Sequence, residues 1–170
     1  MLMMKKESHL MKEQTTVSHP HAVNGELLCD ESIRLTGVTE YGISWEEFTN
    51  GRVTPPREGA FFDIAFEGAL TGEKLSGTIK GIDYLQVRAD GRFMLHLHAT
   101  ITTDDGENIA VSEEAILMPP SDDSGIGQLR LNLSFGTASS KYGWLNRRLA
   151  WGIGPIDLAA GTAEVKVYLA

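Results

Sequence analysis

His96 and His98 are separated by one residue within Phe93 to Thr102, a run with the composition of a β-strand. Side-chain direction repeats every two residues along a strand, so both imidazoles project from one face. An imidazole titrates near neutral pH and can take or give a proton. Asp83 lies in a neighbouring strand-like run, on the same face as Leu85 and Val87. A carboxyl on an apolar face loses hydration, which raises its pKa and suits it to general acid or base work. Asp83, His96 and His98 are therefore the catalytic candidates. Tyr142, Trp144 and Asn146 form a further group, with aromatic surface for a flat ligand and an amide to orient it. Each group has a plainer reading. Asp83 can bond a turn or an arginine, the histidines can face solvent, and the Tyr-Trp-Asn group can be a plug packed against one end of the fold.

Other chemistries find little support. His-x-His is one edge of a metal site, but no histidine follows His98, so a third imidazole would have to come from His9, His19 or His21 near the start of the chain. Cys29 is the only cysteine, which rules out an intramolecular disulfide and a cysteine-cluster zinc site. Gly152-Ile153-Gly154 runs into Pro155 rather than a helix, so it is not a dinucleotide fingerprint. The sequence has no P-loop, nucleophile elbow or zinc-protease motif. Neither a metal nor another cofactor is expected.

The elements that must position these groups are strands. Two Asp-Gly turns, Arg88-Ala89-Asp90-Gly91-Arg92 and Thr103-Asp104-Asp105-Gly106-Glu107, flank the histidine segment and read as two-residue type I′ hairpin turns. Further strand-like runs are Ile33 to Thr39, Phe61 to Leu70, Leu75 to Lys80, Ile82 to Ala89, Asn108 to Met118, Gln128 to Thr137, Arg148 to Ile153 and Thr162 to Leu169. Pro55-Pro56 and Pro119-Pro120 end two of the segments, and only Ser44 to Phe48 and Ser139 to Arg147 have room for a helical turn. This spacing predicts an all-β fold, an antiparallel meander closing into a single β-barrel that leaves no long edge strand bare. Residues 1–28, with Lys5-Lys6 and Ser18-His19-Pro20-His21, read as a disordered or extended N-terminal tail, and 29–170 as the barrel domain.

Periodicity leaves open which face is inside. Phe93, Leu95, Leu97, Ala99 and Ile101 alternate with Met94, His96, His98, Thr100 and Thr102. Either the apolar row fills a solid core, or the polar row lines a lumen while a partner subunit or a terminal segment covers the apolar one. Arg130 and Asn132, opposite in phase to Leu129, Leu131 and Leu133, suit solvent and a ligand site equally.

At 170 residues, 42% of them hydrophobic, the chain is long enough for one domain with a real core. A formal net charge of −8 with scattered Lys and Arg disfavours nucleic acid and anionic membrane surfaces. Met1 to Lys6 makes a poor secretory signal, and no run approaches the roughly 18 apolar residues of a membrane helix. A cytoplasmic location is the expectation.

With the strands placed, Asp83-Tyr84-Leu85-Gln86-Val87-Arg88-Ala89-Asp90-Gly91, Thr103-Asp104-Asp105-Gly106 and Tyr142-Gly143-Trp144-Leu145-Asn146 together resemble the DUF3237 (UPF0311) proteins, small bacterial and fungal β-barrels largely without assigned function. The resemblance spans Ile33 to Tyr168. It implies a barrel whose polar row is occupied by function, with Tyr84, Arg88, Arg130, Asn132, Tyr142, Trp144 and Asn146 as candidate ligand contacts. Tyr84 stands where a Trp is usual in that family, and His96 and His98 where Asp and Arg are more frequent. The expected function is binding of a small apolar or aromatic molecule, with cofactor-independent lyase, isomerase or cyclase chemistry. The alternative is a non-enzymatic module that forms a homodimer through a barrel face; a homodimer fits both.

Overall fold

The computed structural model describes residues 25–170, so residues 1–24 of the predicted tail, with its histidines, lie outside the described residues. Eight antiparallel strands run in chain order around a closed barrel. They are β1 (Glu26–Glu40), β2 (Ala60–Thr71), β3 (Gly77–Val87), β4 (Phe93–Thr103), β5 (Asn108–Met118), β6 (Ile126–Gly136), β7 (Leu149–Asp157) and β8 (Thr162–Leu169). Helix α1 (Trp45–Thr49) lies between β1 and β2, and a 3₁₀ turn, η1 (Gly143–Arg147), lies between β6 and β7. β1 pairs with both β2 and β8, and this seam closes the sheet. β1 begins before the expected domain start at residue 29. The segment Ser44 to Phe48, with room for a helical turn, does enter helix α1, capped by Ser44 accepting from the Glu47 N–H.

Two local expectations are corrected. The Asp-Gly turns are not type I′, because among the described residues none other than glycine has positive φ. In each, an i→i+3 bond (Gly91 N–H to the Arg88 carbonyl, Gly106 N–H to the Thr103 carbonyl) is followed by a left-handed glycine. That is a type I turn with a glycine bulge, in which Asp avoids the strained region. Leu75 to Lys80 and Ile82 to Ala89 are not separate strands either: β3 runs through Gly81, where a Cβ would fall 2.3 Å from the His98 carbonyl oxygen. Glycine there marks a close approach of two backbones, not a break.

The apolar rows face inward. Phe93, Leu95, Ala99 and Ile101 on β4, and Leu129, Leu131 and Leu133 on β6, are buried. At one end η1 inserts the fully buried Leu145. Asp105 of the β4–β5 turn holds it there, accepting from Tyr142 Oη at 2.8 Å and pairing with Lys141. At the other end Trp45 and Phe48 of α1 pack on Phe62, ring centroids 5.0 and 5.6 Å away.

One irregularity decides what β1 presents to the interior. The β1–β8 register slips between Leu27 and Cys29, so Leu28 and Cys29 are both buried. An extra residue in one strand reverses the alternation beyond it. Glu31, Ile33 and Leu35 therefore point inward, while Asp30 points outward to Lys166, 2.6 Å away.

Candidate functional site

Three carboxyl groups face the barrel interior: Glu31 from β1, Asp83 from β3 and Glu113 from β5, each no more than 6% exposed. Asp83 pairs with Leu97 and Leu97 with Glu113, which puts those two carboxyls in one row, two strand spacings apart. All three line one cavity whose remaining walls are hydrocarbon, among them Leu35, Ile64, Phe66, Leu95, Leu97, Leu131, Leu158 and Val165. About 70 Å³ of it is free to the centre of a water-sized guest, several times the roughly 10–15 Å³ that one water needs. Leu35 and Leu158, toward the α1 end, are among its half-buried lining residues, and no η1 residue lines it.

The cavity shapes the electrostatics. Burial pushes the Asp83 carboxyl up to about 7, against the pull of the His96 backbone N–H, which donates to its Oδ1 at 3.1 Å; the negative charge of Asp63 on the outside raises it further. Glu31 is raised by burial alone. Glu113 is raised well above the carboxylate range, first by burial and then by the charges of Glu31 and Asp83. Among the described residues, neither Glu31 nor Glu113 has a side-chain hydrogen-bond partner. Cys29, beside Glu31, is likewise pushed up by burial, which makes a thiolate nucleophile costly. Burial, with no basic group among the described residues that line the cavity, gives acids that hold their protons near neutrality. One of them, Asp83, carries a hydrogen bond that favours its ionised form. Acid and base can therefore coexist in one chamber. The Asp83 bond also has a backbone consequence: the β3–β4 ladder is interrupted between Asp83–Leu97 and Gln86–Met94, and the carboxylate takes the amide that the ladder leaves free.

Of the two assignments of faces left open, the structure takes the one that turns the histidines outward, so the catalytic candidates His96 and His98 do not line a lumen. His96 and His98 are exposed on the outer face, because burying Phe93, Leu95, Ala99 and Ile101 removes far more apolar surface from water than the opposite row offers. Tyr84, also outside, packs edge-on to His98 with centroids 6.1 Å apart. Arg88 pairs with Asp90 on the exterior, and Arg130 and Asn132 are exposed on β6. Tyr142 is committed to Asp105. Asn146 bonds both the N–H (2.9 Å) and the carbonyl (2.7 Å) of Thr137, much as a neighbouring strand would. Trp144 sits partly exposed on the same turn. That turn closes the end of the barrel opposite α1. Of the predicted site residues, only Asp83 reaches the chamber. A His96→Ala/His98→Ala double variant should bind an interior ligand within two-fold of the parent protein by isothermal titration, since the Asp83 bond uses the His96 backbone.

Glu113 was readable from the sequence by the signal that marks Asp83: Ile109, Val111, Ala115 and Leu117 share its face. Glu31 was hidden by the slip at Leu28.

The comparisons agree with this architecture. A β-barrel-like protein of Acinetobacter baumannii superposes with a TM-score of 0.72 at 23% identity, over 89% of this chain and 98% of that one. A protein of unknown function from Clostridium acetobutylicum gives 0.69 at 21%, over 86% and 97%. An enzyme from Penicillium herquei gives 0.58 at 24%, over 86% and 95%. At the sequence level, the hydroalkoxylation enzyme phnH of Penicillium herquei is 36% identical over 89 residues, 52% of each chain. The chain thus spans about half the length of that curated relative. The family model described as protein of unknown function (DUF3237) matches residues 44–170, and the chain belongs to that family.

Proposed function

We propose that this protein is a cofactor-independent acid/base enzyme that moves protons on a small apolar molecule, and that its reaction is addition of a hydroxyl group across a carbon–carbon double bond. The observation that carries the reading is the set of buried carboxyls in an otherwise hydrocarbon chamber. The named activity of the Penicillium relative supports the choice of reaction within the wider set of cyclisation, isomerisation, hydration and elimination.

In this reading Glu113, the carboxyl most strongly held in its protonated form, donates its proton to one alkene carbon. The electron-deficient neighbouring carbon is attacked by the substrate hydroxyl oxygen, and the hydroxyl proton passes to the Asp83 carboxylate. One C–H and one C–O bond form, the π bond and the O–H bond break, and proton exchange between the carboxyls resets the pair. The apolar walls exclude the water that would otherwise capture the cation.

The test is incubation of purified protein in D₂O with alkenyl phenols such as 2-(3-methylbut-2-enyl)phenol, following the isomeric cyclic ether by chromatography and deuterium by mass spectrometry. A cyclic product carrying one deuterium on carbon, formed above the buffer rate, is expected. No ether, no exchange and no ligand-induced thermal shift across the series would overturn the reading. The alternative, a module that dimerises through a barrel face, draws support from the exposed Phe61, Ile82 and Tyr84 on β2 and β3.

A further inference from the structure

We propose that the chamber binds lipophilic monocations, protonated amines with a compact hydrocarbon body, and that Glu31, Asp83 and Glu113 supply the counter-charge. The inference rests on the same cavity as the proposed reaction, but not on that reaction taking place.

Three observations lead to it. First, among the described residues, the polar groups lining the cavity are carboxyls, and no basic side chain lines it. Second, Glu31 and Glu113 are 5% and 4% exposed, face the cavity, and have no hydrogen-bond partner among the described residues. An ionised carboxylate in that position is expensive because nothing replaces its water. A guest that brings its own positive charge removes the expense, and a neutral or anionic guest does not. Third, the walls offer hydrocarbon contact to the rest of the guest. A cation of this kind also resembles the electron-deficient carbon formed when an alkene is protonated, so it should bind more tightly than a neutral analogue of the same shape.

The proton balance gives this a distinctive signature. The amine enters as ammonium, and one protonated carboxyl releases its proton to solvent, so affinity must rise with pH until the chamber is ionised. The titratable groups lining the site are Glu31 on β1, Asp83 on β3 and Glu113 on β5; Cys29 on β1 feels the Glu31 charge, and Asp63 on the outside of β2 adds its charge to Asp83. β2, β4, β6, β7 and β8 present Ile64, Leu97, Leu131, Ile156 and Val165, which do not titrate.

Isothermal titration calorimetry with cyclohexylammonium, cyclohexanol and cyclohexanecarboxylate, at pH 5.5 and pH 8 in 0.5 M NaCl, tests the inference. Cyclohexylammonium should bind at least ten-fold tighter at pH 8 than at pH 5.5. In buffers of different ionisation enthalpy it should show proton release near neutral pH. At pH 8 it should exceed cyclohexanol at least ten-fold, and the carboxylate should not bind. Glu113→Gln should lower the amine affinity at least ten-fold, while Glu114→Gln, on the outer face, should not change it. Asp83→Asn and Glu31→Gln repeat the test should Glu113→Gln fail to fold. Equal binding of amine and alcohol at pH 8, an affinity that ignores pH, or insensitivity to the interior substitutions would overturn the inference. Turnover of alkenyl phenols without amine binding would sink this inference alone. Amine binding without turnover would sink the reaction alone.

Discussion

Glu113→Gln should lower turnover of an alkenyl phenol by about 10²–10⁴-fold, the contribution typical of one positioned proton donor. Glutamine keeps the volume of the side chain and the packing around it, so the loss reports the acidic proton itself. Asp83→Asn should produce a loss of similar size by removing the acceptor, since the amide oxygen can still take the His96 N–H but cannot take the substrate's proton. The loss should fall mainly on kcat, because both groups act on bonds that change in the transition state. Glu31→Gln should behave differently. The Glu31 charge is one reason Glu113 holds its proton, so its removal should move the falling limb of the pH–rate profile toward acid while leaving substantial turnover. Initial rates between pH 5 and 9 for the three variants separate these roles. An acid assignment for Glu113 does not survive if Glu113→Gln turns over within two-fold of the parent.

The second large effect concerns stability. A carboxyl whose pKa is higher folded than unfolded binds more protons in the folded state, so stability falls as pH rises across the interval between the two values. For Asp83 that interval runs from the ordinary 3.8 to about 7, and Glu31 and Glu113 shift in the same direction. The barrel should be most stable on the acid side, near pH 4 to 5, and lose stability as pH passes through 7. Asp90 works the other way, its carboxyl drawn down to about 2 by the Arg92 side chain, but it is fully exposed and its effect is screened. A shift of the Asp83 size corresponds to on the order of 4 kcal/mol at most. Asp83→Asn should therefore raise stability at pH 8.5 by on the order of 2–4 kcal/mol and by less than half as much at pH 5. Urea unfolding of the parent and the variant at pH 5, 7 and 8.5 reads this directly. Parallel pH profiles for the two proteins would show that Asp83 is not a source of the dependence.

The barrel itself was legible because its signals are local. Asp-Gly turns, proline stops and the clean alternation of Gln128 to Thr137 need no knowledge of distant contacts. The site was legible only in part. Asp83 stood out as a carboxyl among Leu85 and Val87, and Glu113 carried the same mark among Val111 and Ala115. The histidines drew attention by their chemistry, yet the choice of inner face is made by area: an aromatic ring and branched aliphatic chains outcompete two imidazoles for the interior. Glu31 depended on a slipped register against β8, a pairing between residues more than a hundred positions apart. The roles proposed for Tyr84, Arg88, Arg130 and Asn132 assumed that polar meant functional. On a barrel that turns its apolar rows inward, those positions meet water.

The seam between β1 and β8 has a consequence for when the chemistry comes into being. Until the first strand finds the eighth, the sheet is an open ribbon and its inner face is wet. Glu31, Asp83 and Glu113 would then ionise as ordinary carboxylic acids. Their reluctance to give up protons depends on the pairing of β1 with β8, and it reaches across the described chain rather than residing in any local sequence. The acid and base roles proposed above therefore depend on the pairing that shuts the ring.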